Sequence, residues 1–332
     1  MSTAFILAHF CSCNMGDKYQ GLTLIKMLKN IANLVCVNFS DIDGNNSIEE
    51  NFLGTNLTIY SPEYAFSHLP CDNLIVLTGS FDNHSPHVKW IKQCFNDDKI
   101  KTVHIWGGFH GVDENFLSTM TWIKSDKLHF YARGKDDADI FTKITGKECE
   151  PSGDPMCYYL SIFERTKETV PGKNLFIASY YLFENKPELF LSVLQKNIKT
   201  ILFIDSYIDN QNLFMHFIFE NKPKDCMIIH ESNPLKVLDI ISEHDMVYSS
   251  RLHGAILSFG LYKPTVMLVT DDSDRGEKSF KFYSVGLSGN NQLCYVTKNT
   301  ISEIYERNFS HNIFGFITLS MGTFSKLSNK LI

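Results

Sequence analysis

The chain has 332 residues, of which 44% are hydrophobic and 20% charged, a balance that suits more than one packed core and excludes a disordered polymer. Its 31 basic and 37 acidic side chains leave a formal charge of −6, and no basic face stands out, so nucleic acid is not an expected partner. Nine cysteines fall at irregular spacing with no Cys-x-x-Cys pair; they exclude a zinc knuckle or a thioredoxin-like centre and read as free thiols in a reducing compartment.

The N-terminal stretch Met1–His9 has no basic lead and only a short apolar run, so it reads as a first core strand, Phe5–Ala8, and not as a signal peptide. No run approaches the ~18 apolar residues that span a bilayer, so the expectation is a cytoplasmic protein with no transmembrane segment. Leu22, Ile25, Leu28 and Ile31 predict a helix over Lys18–Ile31. Strands follow at Leu34–Asn38, Leu74–Leu77, Thr102–Ile105 and Phe130–Ala132. The pattern restarts with strands at Leu175–Ala178, Thr200–Ile204, Met227–Ile229 and Met246–Tyr248, with helices at Phe190–Lys196, Leu235–Ser242 and Ala255–Phe259. Apolar runs alternating with helical patterns predict parallel sheets with helices on both faces. The fold class is α/β: two Rossmann-like doubly wound domains facing a cleft, over residues 1–160 and 161–310. The polar stretch Glu164–Gly172 reads as the linker. The tail 311–332 reads as a helix that could return to the first domain.

In such sheets ligands bind beyond the carboxyl ends of the strands, and polar motifs gather at those positions. Asn14-Met15-Gly16-Asp17 lies between the first strand and first helix. It is either a plain cap, with Asp17 and Gln20 as a capping box, or a helix N-terminus offered to a substrate. Two glycine turns follow strands: Thr78-Gly79-Ser80 and Trp106-Gly107-Gly108-Phe109-His110-Gly111. Either lets a backbone approach a ligand, and either can be an ordinary turn. His84, His87 and His104 lack an acidic partner at ligand spacing, so no metal site is expected. Arg133 ends a short apolar strand, where it can fork onto a carboxylate or phosphate or join a salt bridge. Ser152-Gly153-Asp154-Pro155 reads as a β-turn closing the first domain.

The most informative stretch is Ser249-Ser250-Arg251-Leu252-His253-Gly254, between a strand and a short apolar helix that Gly260 can end. Ser250 is placed to cap that helix. An arginine and a histidine two apart at a helix N-terminus make an anion site with a titratable group beside it. Burying Arg251 without a carboxylate partner would be costly, which favours a ligand role.

In this order the pieces resemble the polysaccharide pyruvyl transferase family. The resemblance runs over about residues 4–290, through the Asn-x-Gly-Asp turn at 14–17, the two glycine turns, Ala132-Arg133, Gly153-Asp154-Pro155 and Ser250-Arg-Leu-His-Gly254. Lys263-Pro264-Thr265-Val266 and the Lys278–Leu287 segment continue it. The chain departs from the family pattern at Gly79-Ser80-Phe81, where more glycine is usual, and at Gly134, where an acidic residue usually follows the arginine. The resemblance implies a GT-B-like architecture and no metal or organic cofactor. It implies transfer of a pyruvyl group from phosphoenolpyruvate to hydroxyls of a sugar or glycan acceptor, lipid-linked glycans included, commonly as a ketal with release of phosphate. The first domain becomes the acceptor side and the second the phosphoenolpyruvate side. Arg251 and His253 become the catalytic pair, with Asp17 as a candidate base that a general-base role for His253 could replace. Asn14, Gly16, Gly107, Gly108, Arg133, Ser250, Gly254 and Lys278 become substrate-binding candidates. Two arginines suit a donor that carries a phosphate and a carboxylate. Two other readings stand beside this one: a GT-B nucleotide-sugar glycosyltransferase, and a non-catalytic glycan-binding relative. The first would need an acidic residue for the donor ribose. The helix after His253 has none through Tyr262, though Glu231 or Glu243 could substitute.

Overall fold

Apolar runs with no polar alternation become strands buried on both faces, and they build two parallel sheets. The computed structural model describes residues 1–12, 14–52, 55–78, 87–109, 120–156, 170–204, 211–261, 263–268, 323 and 325–331. By contact the chain divides into two units. The first is Met1–Ser12, Asp17–Tyr158 and Phe316–Ile332; the second is Cys13–Gly16 and Tyr159–Gly315. Gly79, Ser80, His84, His110, Gly111, residues 164–169, Tyr262 and the Lys278–Leu287 segment lie outside the described residues.

In the first unit the strands are β1 (Thr3–Ala8), β2 (Asn33–Asn38), β3 (Ser47–Phe52), β4 (Thr55–Tyr60), β5 (Asn73–Leu77), β6 (Thr102–Gly107) and β7 (Leu128–Ala132). Their order is β3-β4-β2-β1-β5-β6-β7, parallel throughout except for β3 against β4. Leaving β3 aside, the chain order across the sheet is 3-2-1-4-5-6, the Rossmann arrangement. Its helices are α1 (Met15–Leu28), α2 (Pro62–His68), α3 (His87–Asn96) and α4 (Lys135–Thr145). Alternate β1 side chains serve opposite faces. Ala4, Ile6 and Ala8 pack with Leu22, Ile25 and Leu28 of α1 and with Leu327 and Leu331 of the C-terminal helix, residues 325–331. Phe5 and Leu7 pack with Val88, Ile91 and Cys94 of α3 and Phe141 of α4. The Ser2 hydroxyl donates to the Leu331 carbonyl at 2.6 Å, tying that helix to the start of the chain. The hairpin β3–β4 was not expected. It is a sheet edge whose exposed face carries Glu49, Asn51 and Asn56, so its apolar signal reduces to Ile48, Leu57 and Ile59.

In the second unit the strands are β8 (Asn174–Ile177), β9 (Ile198–Phe203), β10 (Met227–His230), β11 (Met246–Ser249) and β12 (Thr265–Met267). All are parallel, in the order β10-β9-β8-β11-β12, again the 3-2-1-4-5 sequence of a doubly wound half. The helices are α5 (Tyr180–Asn185), α6 (Pro187–Leu194), α7 (Gln211–Asn221), α8 (Pro234–Glu243) and α9 (Leu252–Gly260). α8 begins one residue earlier than the apolar spacing indicates. Asn233 Oδ1 accepts from the amides of Leu235 and Lys236, with Pro234 at the first helical position. Phe176, Phe190, Phe203 and Phe214 meet in edge-to-face contacts at the centre of this core.

His104 lies inside the first unit and is fully buried. Its Nε2 is 2.9 Å from Thr102 Oγ1 and its Nδ1 is 3.1 Å from the Tyr131 hydroxyl. Among the described residues no group of three His, Cys, Asp or Glu side chains could hold a metal ion. Burial above all, with His129 and Lys330 nearby, pushes the His104 pKa down to about 3. An unfolded histidine titrates near ~6.5. Between those values the unfolded chain binds a proton that the native chain refuses. This contribution is therefore complete above about pH 6.5 and is lost as pH falls through the window, at up to ~1.4 kcal/mol per pH unit. The urea midpoint should fall from pH 7 to pH 5, and His104→Gln should flatten part of that slope. An identical slope in the variant would place the proton uptake elsewhere.

Candidate active site

In the second sheet the chain order reverses between β8 and β11, which lie side by side: β9 lies beyond β8 and β12 beyond β11. Loops leaving two strands at such a point diverge and leave a crevice beyond their carboxyl ends. Residues 250–254 occupy that place. Ser250 ties the turn to the neighbouring strand: its amide donates to the Ile177 carbonyl at 2.9 Å and its hydroxyl to the same oxygen at 3.1 Å. The turn is closed by Ser249, whose Oγ accepts from the Arg251 amide at 3.2 Å and donates to the Arg251 carbonyl at 2.8 Å. The cap expected of Ser250 thus gives way to a bond across the strands. A Cβ on Gly254 would lie 2.8 Å from Ser249 Oγ and 3.0 Å from Ile177 Cδ1. Only glycine lets α9 start so close to β8 and β11. Arg251 and His253 are both half-buried on the first residues of this turn and helix. The N–H groups of the first turn of α9 have no carbonyl of their own helix to meet, which favours negative charge there.

The short segment Cys13–Gly16 groups with this unit. Asn14 Oδ1 accepts from the Gly16 amide at 3.0 Å, the bond of an N-cap to the second helical residue. Helix α1 therefore starts three residues before the predicted Lys18. Asp17 lies in its first turn, and the expected Asp17–Gln20 capping box is replaced by the Asn14 cap. A Cβ on Gly16 would overlap the His253 ring at Nδ1, Cγ and Cε1. The glycine and the imidazole are in contact. The fold so brings together Asn14, Gly16, Ser250, Arg251, His253 and Gly254, which the sequence offered as separate motifs.

Arg133, Gly107 and Gly108 meet in the first unit, with Asp17 on the first turn of α1. The Arg133 amide donates to the Gly107 carbonyl at 2.9 Å. Its guanidinium, in a side chain only 7% exposed, donates from Nη2 to Asp154 Oδ2 at 2.6 Å. Asp137 accepts from the Phe109 amide at 2.8 Å, and a Cβ on Gly108 would come within 2.8 Å of its Oδ2. Asp137, three residues after Gly134, thus lies against the glycine turn. Lys263 is buried with its Nζ on the Ser242 carbonyl at 2.6 Å, a cation at the C-terminal end of α8. Asp154, Asp137 and Gln20 are the polar residues that sequence reasoning did not assign to the site. Gly153-Asp154-Pro155 was visible as a turn, but no local signal joins Gln20 to Asp154, 134 residues on.

A family model described as polysaccharide pyruvyl transferase matches residues 14–272. No curated protein matches the chain. Among solved structures, a glycosyltransferase from Rickettsia africae aligns over 99% of this chain and 98% of its own, with 10% identity and a TM-score of 0.54. A UDP-GlcNAc 2-epimerase from Methanocaldococcus jannaschii aligns over 98% and 100%, with 11% identity and a TM-score of 0.52. These likenesses are of fold, and they are to GT-B-like proteins. Among the described residues no helix is long and apolar enough to cross a membrane.

Proposed function

Because the chain belongs to the polysaccharide pyruvyl transferase family, we propose that it transfers the pyruvyl group of phosphoenolpyruvate to hydroxyls of a glycan, leaving a ketal and releasing phosphate. The observation that carries this reading is the turn beyond β11, where Arg251 and His253 sit at a helix N-terminus with Gly16 against the imidazole. Arg251 and the α9 amides suit the carboxylate and phosphate of the donor. Lys278 is assigned as a further cation for the phosphate. His253 delivers a proton to carbon 3, which makes carbon 2 electrophilic. One sugar hydroxyl adds to carbon 2; a second replaces the phosphate. Of the two hydroxyl protons lost, one balances the proton gained at carbon 3 and the other leaves with phosphate. His253, returned to its neutral form, or Asp17 takes the proton of the attacking hydroxyl. The first unit is assigned the acceptor.

The test incubates the protein with phosphoenolpyruvate and a panel of galactose-, mannose- and N-acetylhexosamine-containing glycans. The expected result is the mass gain of a pyruvyl ketal with one phosphate released per ketal, and a donor KM that rises at least tenfold in Arg251→Ala. Turnover of UDP- or GDP-sugars with no response to phosphoenolpyruvate would move the protein to the glycosyltransferase class. Neither activity across the panel would leave a glycan-binding relative.

A further inference from the structure

We propose that His9 is a binding residue for the acceptor glycan, its imidazole holding a sugar hydroxyl beyond the end of β1. The proposal rests on the assignment of the acceptor to the first unit. In the first sheet the chain order reverses between β1 and β5: β2 lies beyond β1, and β6 beyond β5. Loops diverge at such a point, and ligands bind past the carboxyl ends of the two strands. His9 is the first residue after β1. Carried one or two residues past the strand ends, the register sets His9 beside Phe39 on one side and Thr78 on the other, with Gly107 next to Thr78. Alternation puts this last row on the face of Phe5 and Leu7. Phe39, Thr78 and Gly107 are all buried in it. Gly107 makes room for its neighbour: a Cβ there would lie 2.6 Å from the Thr78 carbonyl oxygen and 2.7 Å from its Cγ2. His9, between buried Ala8 and Phe10, is the member of the row that reaches the surface.

The imidazole is firmly mounted. Its ring stands edge-on to Phe39, with centroids 4.2 Å apart and planes at 62°. The Phe39 amide donates to the Ala8 carbonyl at 3.1 Å, and the Ser12 amide to the His9 carbonyl at 3.2 Å. Asn38, buried at the end of β2, accepts from the Cys11 amide at 3.1 Å and donates to the Ser40 carbonyl at 3.0 Å. The loop after β1 is thus tied to β2 at several points. Charge around it selects the class of ligand. Burial first, then Glu50, raises the pKa of Cys11, with Lys18 opposing and Asp43 adding to the rise. Two carboxylates against one ammonium repel a phosphate or a carboxylate. They leave a neutral polyol as the fitting ligand. A neutral imidazole offers one donor and one acceptor, and a sugar hydroxyl needs both.

The test titrates the full chain, without phosphoenolpyruvate, with the galactose-, mannose- and N-acetylhexosamine-containing glycans, and follows the His9 imidazole resonances. Expected is a saturable shift with the glycan that is turned over. In His9→Ala the KM for that glycan should rise about five- to tenfold, the loss of one or two neutral hydrogen bonds. The phosphoenolpyruvate KM should stay within about twofold, because its binding groups are assigned to the second unit. His9→Gln, whose amide also donates and accepts, should recover most of the loss. A folded His9→Ala with an unchanged glycan KM overturns the proposal, as does saturable glycan binding that leaves the His9 resonances unmoved. If the wild-type protein does not use phosphoenolpyruvate, the transferase reading falls and the titration still decides: a saturable His9 shift keeps the glycan site, and no binding across the panel removes it.

Discussion

His253→Ala is expected to lower kcat for phosphoenolpyruvate-dependent transfer by about 10²- to 10⁴-fold, the range usual for loss of a positioned acid–base group. The protein should stay folded. His253 is half-buried at the start of α9, and the packing of that helix on β8 and β11 runs through Gly254 and Ile177. Donor KM should change little, because Arg251 and the α9 amides remain. His253→Asn should be equally impaired, since an amide keeps polarity and size but exchanges no proton. Added imidazole should restore part of the rate to the alanine variant by entering the vacated volume. Retention of more than a third of wild-type kcat in a folded His253→Ala would remove the imidazole from the chemistry.

Gly16→Ala should cost activity by on the order of 10²-fold through a different route. The new Cβ would overlap three atoms of the His253 ring, so either the imidazole turns away or the start of α1 shifts. Stability should suffer less than activity, because alanine is the better helix former by roughly 0.5–1 kcal/mol and opposes the steric penalty. The diagnostic experiment is a double-mutant cycle. In the His253→Ala background the ring is gone, so Gly16→Ala should be nearly silent. Independent, additive losses in the double variant would refute a contact between the two residues that matters for turnover.

The strands were legible because a strand with both faces covered must be apolar along its length, and Leu74–Leu77, Thr200–Ile204 and Met246–Tyr248 read that way. Their ends fell within two residues of the prediction. The start of α1 did not, because Asn14 and Asp17 are both good caps and periodicity cannot choose between them. The structure chooses Asn14 through its bond to the Gly16 amide. The hairpin β3–β4 escaped because an edge strand needs only one apolar face, and half of Ser47–Tyr60 is polar. The short strand β12 was hidden in the Lys263–Val266 motif, too brief to show any period.

The sequence by itself determined the alternation of strand and helix, the two α/β halves, the family, and the unusual Arg251–His253 pair at a helix start. All of these are local in the chain, or are ordered sets of local motifs. The tertiary structure alone decided which strands are neighbours, and that choice created the remaining relationships. Placing β11 beside β8 puts Ser250 on the Ile177 carbonyl, 73 residues away. The return of the chain past β7 puts Asp154 on Arg133, and α1 brings Gln20 to the same carboxylate. A buried arginine or aspartate declares in sequence that it needs a partner; the identity of that partner follows from long-range packing, which no local pattern of residues encodes.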